Sequence, residues 1–177
     1  YFTVASLLLL PLIFLYKFFL FLRKKIYSQK RFPIKIICVG NIYVGGTGKT
    51  PIVLNICKIL KEMGQNPIII RKEYKNHEDE ISIIKKNNKI ITAKKRKDGI
   101  KNAIEKKYNF AVLDDGLQDL NIKKDLNIVC FHSSQKIGNG FVIPSGPLRE
   151  GLDELQKCQV VLINGKKDIE FEQKLKK

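Results

Sequence analysis

Residues 39–51 read Val-Gly-Asn-Ile-Tyr-Val-Gly-Gly-Thr-Gly-Lys-Thr-Pro, and this stretch narrows the choice of folds more than any other in the chain. Ile34–Val39 before it is apolar and β-branched, a strand candidate. Lys49 to about Met63 after it has helical spacing, with Gly64 placed as a C-cap. Glycines between a strand and a helix let the backbone curl so that successive N–H groups point inward. The helix adds the positive end of its dipole. Pro51 falls in the first helical turn, where its missing N–H costs nothing. A loop of this kind holds an anion, and a merely structural turn would have no use for Lys49.

The loop therefore reads as a nucleotide phosphate site made of Tyr43, Val44, Gly45, Gly46, Thr47, Gly48, Lys49 and Thr50. Lys49 is expected to reach the β- and γ-phosphates of ATP, and Thr50 to offer its hydroxyl to Mg2+. In the usual G-x-x-x-x-G-K-[ST] pattern a glycine stands where this chain has Tyr43.

Around the loop, short β-rich runs alternate with helical stretches. Further strands are expected at Pro67–Arg71, Ile90–Ala93, Phe110–Leu113, Leu126–Phe131 and Val160–Ile163. Helices are expected at Asp98–Lys107 and Gly151–Lys157, with a short one ending near Asn87. That alternation implies an α/β fold, a P-loop NTPase-like and mostly parallel sheet with flanking helices, whose ligands bind beyond the carboxyl ends of the strands.

A phosphate loop also needs a metal-holding acid at the end of an apolar strand. Phe110–Leu113 is followed by Asp114-Asp115-Gly116. Asp114 is the candidate Mg2+ ligand, and Asp115 lies on the opposite face or in the turn. His77-Glu78-Asp79-Glu80 follows the second strand, so Asp79 or Glu80 can serve as the base for an attacking hydroxyl; a helix-capping loop reads the same way. Gly138-Asn139-Gly140 and Pro144–Glu150 form a rigid loop with Arg149 as its lone arginine, suited to a phosphate or to pairing with Glu150 or Glu154.

Val4–Leu22 is a separate signal: nineteen residues with one charge, Lys17, followed by five basic residues within Arg23–Arg31. Charges after the apolar stretch, with no small-residue cleavage site, are the reverse of a secretory signal's order, and the rest of the chain is expected on the cytoplasmic side. Residues 1–31 are expected to form a membrane-associated helix with a basic collar, spanning or interfacial, and residues 32–177 the kinase-like domain. The net charge of +16 by itself suggests nucleic acid, but ten basic residues precede the first acid, Glu62, and the remainder carries 23 basic against 17 acidic residues. The excess clusters beside the apolar helix, with no aromatic-interleaved basic patch, so anionic lipid is the expected partner and nucleic acid is not. Cys38, Cys57, Cys130 and Cys158 form no CxxC pair and read as buried reduced thiols.

Val39-Gly40-Asn41 with Val44–Pro51, then Asp79-Glu80, Asp114-Asp115-Gly116-x-Gln118, Gly138-Asn139-Gly140 and Gly146-Pro147-Leu148-Arg149-Glu150 occur in this order. Together they resemble the tetraacyldisaccharide 4′-kinase family. The resemblance implies an ATP- and Mg2+-dependent kinase. Its acceptor is the 4′-hydroxyl of a tetraacylated disaccharide 1-phosphate, at the cytoplasmic face of the bacterial inner membrane. It also implies Asp79 as catalytic base, with Lys49 acting on the phosphates. Glu80, Asp115, Gln118, Asn139 and Arg149 become residues that bind or support the substrate. A smaller second lobe is expected beyond Lys177. The chain departs from the family at Arg71-Lys72-Glu73-Tyr74, where Ser-Arg-Gly-Tyr is usual, and at Asp119, where His is usual. The rival reading, a membrane-associated ATPase of the partitioning type, needs a signature lysine just before Gly45; Val44 stands there.

Overall fold

A computed structural model describes residues 6, 8–73 and 88–176 of the chain. Its elements are α1 (Leu10–Ile26), β1 (Lys35–Gly40), α2 (Lys49–Glu62), β2 (Pro67–Lys72), β3 (Ile90–Ala93), α3 (Arg96–Glu105), β4 (Phe110–Asp114), β5 (Leu126–His132), a 3-10 helix at Leu152–Lys157, β6 (Val160–Asn164) and α4 (Ile169–Lys176). The strands form one six-stranded sheet in the order β3-β2-β4-β1-β5-β6. The ladders β1–β4, β2–β4 and β2–β3 are parallel. The α/β alternation read from the sequence is thus realised as a sheet with helical connections.

By compactness the chain divides into two units. One comprises Gln29–Gly40 and Lys49–Ile128. Its core joins Ile36 and Cys38 of β1, Ile68 and Ile70 of β2, Ala111 and Leu113 of β4, and Ile100 and Ala103 of α3. α2 buries Val53, Cys57 and Leu60, the four- and three-residue spacing of one helical face. α3 approaches β2 closely because Gly99 has no side chain: a Cβ there would lie 2.8 Å from Cγ2 of Ile70. α2 ends as its sequence predicts, with Gly64 at φ 74 and the Gln65 N–H returning to the Leu60 carbonyl.

The other unit comprises Tyr1–Ser28, Asn41–Gly48 and Val129–Lys177. Here α1 runs from Leu10 to Ile26. Pro11 therefore sits in the first turn, where it removes no helical hydrogen bond, and Arg23, Lys24 and Lys25 form the last turn, where cations suit the dipole. No helix among the described residues is long and apolar enough to cross a membrane. Yet α1 leaves large apolar side chains exposed, among them Phe14 (76%), Phe19 (60%) and Ile26 (77%). Its contacts within the unit include Tyr16 Oη donating to the Arg149 carbonyl at 2.8 Å and the Lys24 ammonium bound to the Glu154 carboxylate.

Two elements differ from expectation. The stretch at Gly151–Lys157 is a 3-10 helix, and α3 begins at Arg96, two residues before Asp98. The charged run at the end forms α4, capped by Asp168, whose Oδ1 accepts the Phe171 N–H at 2.9 Å. The four cysteines form no disulfide, three of them being buried and Cys158 half-buried. Burial pushes the Cys38 thiol up to about 12 and that of Cys57 to about 11, so neither is a thiolate at neutral pH.

Candidate functional site

β4 ends in two carboxylates that the register holds in place. Asp114 lies opposite Val39 of β1 on one side and opposite Arg71 of β2 on the other. Parallel neighbours in register project side chains to the same face, so Arg71 reaches Asp114, Nε to Oδ2 at 3.7 Å. Asp114 is 3% exposed, and among the described residues its carboxylate accepts no hydrogen bond. Burial raises its carboxyl above the ordinary range; Arg71 opposes that, Asp115 adds to it, and Lys49 and Arg96 oppose it.

Asp115 leaves the strand in the left-handed region, φ 58, with its N–H bonded to the Val39 carbonyl at 2.8 Å. That turn is possible because Gly116 follows: a Cβ there would press on Leu113 and on Cys38 Sγ at 3.1 Å. The turn aims Asp115 at Lys49, the first residue of α2, with Nζ to Oδ1 at 3.4 Å. Thr50, half-buried, follows in the same first turn.

Arg96 locks this cluster from the α3 side. Its guanidinium donates to the Asp114 carbonyl and to Asp119 Oδ2, each at 2.7 Å. Asp119, the departure from the family pattern, is thus the partner of a buried arginine. Sequence reasoning missed Arg96, because a solvated surface run of Lys-Lys-Arg-Lys reads identically. It also gave no role to Arg71, although a charged residue closing an all-isoleucine strand was a signal. Gln118 lies half-buried in the turn after β4. Asp79 and Glu80 lie outside the described residues.

In the other unit, Asn41–Gly48 takes its shape from its own side chains and from the segment around Pro147. The Asn41 amide donates to the Gly45 carbonyl at 3.0 Å. Val44 N–H donates to the Pro147 carbonyl at 2.8 Å and Arg149 N–H to the Ile42 carbonyl at 2.6 Å. Tyr43 and Leu148 thereby form an antiparallel bridge. The Gly-rich loop and the Pro-Leu-Arg-Glu segment, distant in sequence, are zipped together by their main chains. Asn139 serves that arrangement, its amide donating to the Ser145 carbonyl at 2.8 Å and accepting from the Phe141 N–H at 3.1 Å. Arg149 is half-buried. Glu154, one of its expected partners, instead binds Lys24 and Lys157; burial works to raise its carboxyl, and those two hydrogen bonds bring it below the ordinary value.

Gly45 at φ 114 and Gly48 at φ 75 supply the turns that only glycine adopts easily. Gly46 is exposed, and Thr47 is buried with an Oγ1 that has no hydrogen-bond partner among the described residues. A buried hydroxyl left so costs about 1–3 kcal/mol until a ligand or water pairs with it. A Cβ on Gly48 would overlap the exposed Asn164 amide, which can swing aside, so the backbone conformation sets the cost. Gly48→Ala is expected to lower stability by about 1–2 kcal/mol in urea titration. A change below about 0.3 kcal/mol would mean that the loop relaxes out of the left-handed region at no cost.

One unit offers a curled loop with glycine turns; the other offers a lysine at a helix start, paired with Asp115, and a buried Asp114 held in register. The tetraacyldisaccharide-1-P 4′-kinase family model matches residues 5–177. The chain is 43% identical to the tetraacyldisaccharide 4′-kinase of Pelagibacter ubique over 166 residues, 92% of this chain and 52% of that protein. It is 37% identical to the tetraacyldisaccharide 4′-kinase of Rickettsia conorii, over 84% of this chain and 51% of that protein. The crystal structure of LpxK from Aquifex aeolicus in complex with ATP aligns with a TM-score of 0.77 at 26% identity, covering 90% of this chain and 59% of that one. The chain spans about half the length of the curated relatives it matches. With a family model matched across nearly its whole length, this chain belongs to the tetraacyldisaccharide-1-P 4′-kinase family.

Proposed function

We propose that the full-length protein transfers the γ-phosphate of ATP to the 4′-hydroxyl of a tetraacylated disaccharide 1-phosphate, the kinase step of lipid A biosynthesis. The observation that carries this reading is the Lys49–Asp115–Asp114 cluster at the loop's helix, in a chain of that family. Lys49 and the N–H groups of Gly45–Gly48 hold the phosphates, with Tyr43 and Val44 shaping the loop's entry. The donor set fits Mg2+, which is bound in nucleotide sites by one or two carboxylates and a hydroxyl rather than by an all-protein cage. Asp114 is such a carboxylate, buried and accepting no hydrogen bond among the described residues, and Thr50 would supply the hydroxyl. Held there, Mg2+ would neutralise charge that develops on the phosphates. Asp115 keeps Lys49 extended towards them.

Asp79 accepts the proton of the attacking hydroxyl, with Glu80 beside it, and Gln118, Asn139 and Arg149 support the acceptor side. The acceptor's acyl chains stay in a bilayer, so the enzyme must work at its surface. The exposed apolar side chains of α1, followed by the basic residues at Arg23–Arg31, suit attachment to anionic lipid at the cytoplasmic face of the inner membrane.

The test uses the full-length protein, radiolabelled ATP and the tetraacylated disaccharide 1-phosphate in detergent. Labelled lipid is the expected product, and its absence from folded, ATP-binding enzyme would refute the kinase reading. In the same assay Asp79→Ala is expected to lower kcat about 100-fold or more with the Kd for ATP within about twofold. A weakened ATP Kd with kcat preserved would move Asp79 from the acceptor to the nucleotide.

A further inference from the structure

α1 turns only a narrow stripe inward. Of residues 11–26, Ile13 is buried and Tyr16, Leu20 and Lys24 are half-buried, at the three- and four-residue spacing of one helical face. The other residues of that stretch are exposed, Phe14, Phe18, Phe19 and Phe21 among them. Two members of the stripe are polar anchors: Tyr16 Oη donates to the Arg149 carbonyl at 2.8 Å, and the Lys24 ammonium binds the Glu154 carboxylate. They stand about 12 Å apart along the helix at 1.5 Å per residue, so the helix is pinned at two points.

The Tyr16 anchor leads to the Gly-rich loop. Arg149 is held through both of its main-chain groups: its carbonyl accepts from Tyr16, and its N–H donates to the Ile42 carbonyl at 2.6 Å. Two residues earlier, the Pro147 carbonyl accepts the Val44 N–H at 2.8 Å. Helix and loop therefore grip one short stretch of backbone from two sides, and all of these residues lie in one compact unit. A helix of 17 residues is marginal in water when so little of it packs. A lipid surface covering the exposed aromatic face, with Arg23, Lys24 and Lys25 in the last turn to meet anionic headgroups, supplies the missing order.

We propose that Tyr16 is a positioning residue that links the binding of α1 to anionic lipid with the binding of nucleotide by the Gly-rich loop. The proposal rests on the readings of loop and helix given above and needs no acceptor. Lipid on the outer face holds α1 helical, with Tyr16 on the Arg149 carbonyl. The Arg149 peptide then stays in place for Ile42, and the nucleotide has less conformational freedom to remove from the loop. The link is reciprocal: lipid tightens nucleotide binding by the factor by which nucleotide tightens lipid binding. A single hydrogen bond limits that factor to about tenfold.

The test compares the full-length protein with its Tyr16→Phe variant, which loses one hydroxyl and keeps the outer face of α1. A fluorescent non-hydrolysable ATP analogue is titrated with and without phosphatidylcholine–phosphatidylglycerol vesicles, and co-sedimentation with the vesicles is measured with and without the analogue. In the unaltered protein, vesicles are expected to tighten the Kd of the analogue about fivefold, and the analogue to tighten vesicle binding equally. In Tyr16→Phe both factors are expected to fall to about one, while vesicle binding without analogue stays within about twofold. A merely structural loss weakens nucleotide binding equally with and without vesicles; it leaves the ratio unchanged and overturns the proposal. A ratio near one in unaltered protein that binds both partners overturns it as well. Failure to bind the analogue refutes the reading of the loop, and failure to bind vesicles refutes that of α1. Either failure also overturns the link, and each shows in its own titration.

Discussion

Lys49→Met in the full-length protein is expected to lower kcat about 1000-fold while the melting temperature moves by no more than about 2 °C. Lys49 opens α2 and is largely buried, 13% exposed, with its ammonium 3.4 Å from Asp115. Methionine keeps the length and the apolar stem and removes only the charge. The pair it breaks is half-open to water on the Asp115 side, 25% exposed, so Asp115 can hydrate and little stability is lost. The catalytic loss is different in kind. Phosphoryl transfer gives the protein little covalent chemistry to do, so a positioned cation acts almost wholly on the charge of the transition state. The check is single-turnover transfer beside a thermal melt. A fall in kcat below about tenfold would mean that the ammonium is spent on Asp115 and does not reach the phosphates.

What could be read from the sequence follows from how local each cause is. The strand–loop–helix at Ile34–Met63 was legible because its parts are contiguous: β-branched residues, then glycines with positive φ at Gly45 and Gly48, then a helix with Pro51 in its first turn. Asp114 was legible because it closes an apolar strand. Its neighbours were not, because register and not sequence brings Arg71 opposite it. The same holds for the main-chain bonds of Val44 to Pro147 and of Arg149 to Ile42, made by backbone atoms that carry no sequence signal. Composition masked Arg96 altogether, since one buried arginine looks like its solvated lysine neighbours.

Arg96→Leu is expected to cost about 3 kcal/mol in urea titration at neutral pH, a drop of roughly 6–12 °C in melting temperature for a domain of this size. The leucine fills part of the volume but leaves the Asp114 carbonyl without its donor in a buried site, and an orphaned buried acceptor costs about 1–3 kcal/mol. Asp119, 30% exposed, loses its partner and recovers part of that loss by hydration. The rest falls on the Asp114 carboxylate. Burial raises its pKa, so its ionised form weighs against folding, and that burden is absent when pH is below the unfolded value and grows as pH rises through the folded one. Arg96 is one of the cations that lighten the burden. Its removal therefore hurts most near neutrality and least near the ordinary carboxylate range, where the raised Asp114 carboxyl is protonated. The destabilisation should shrink as pH falls from 7 towards about 4. A destabilisation independent of pH would assign the whole effect to packing, and one below about 1 kcal/mol would mean that Arg71 alone holds Asp114 in place. A double-mutant cycle with Asp119→Asn separates the two halves of the guanidinium's work, since the bond to the Asp114 carbonyl survives in that variant.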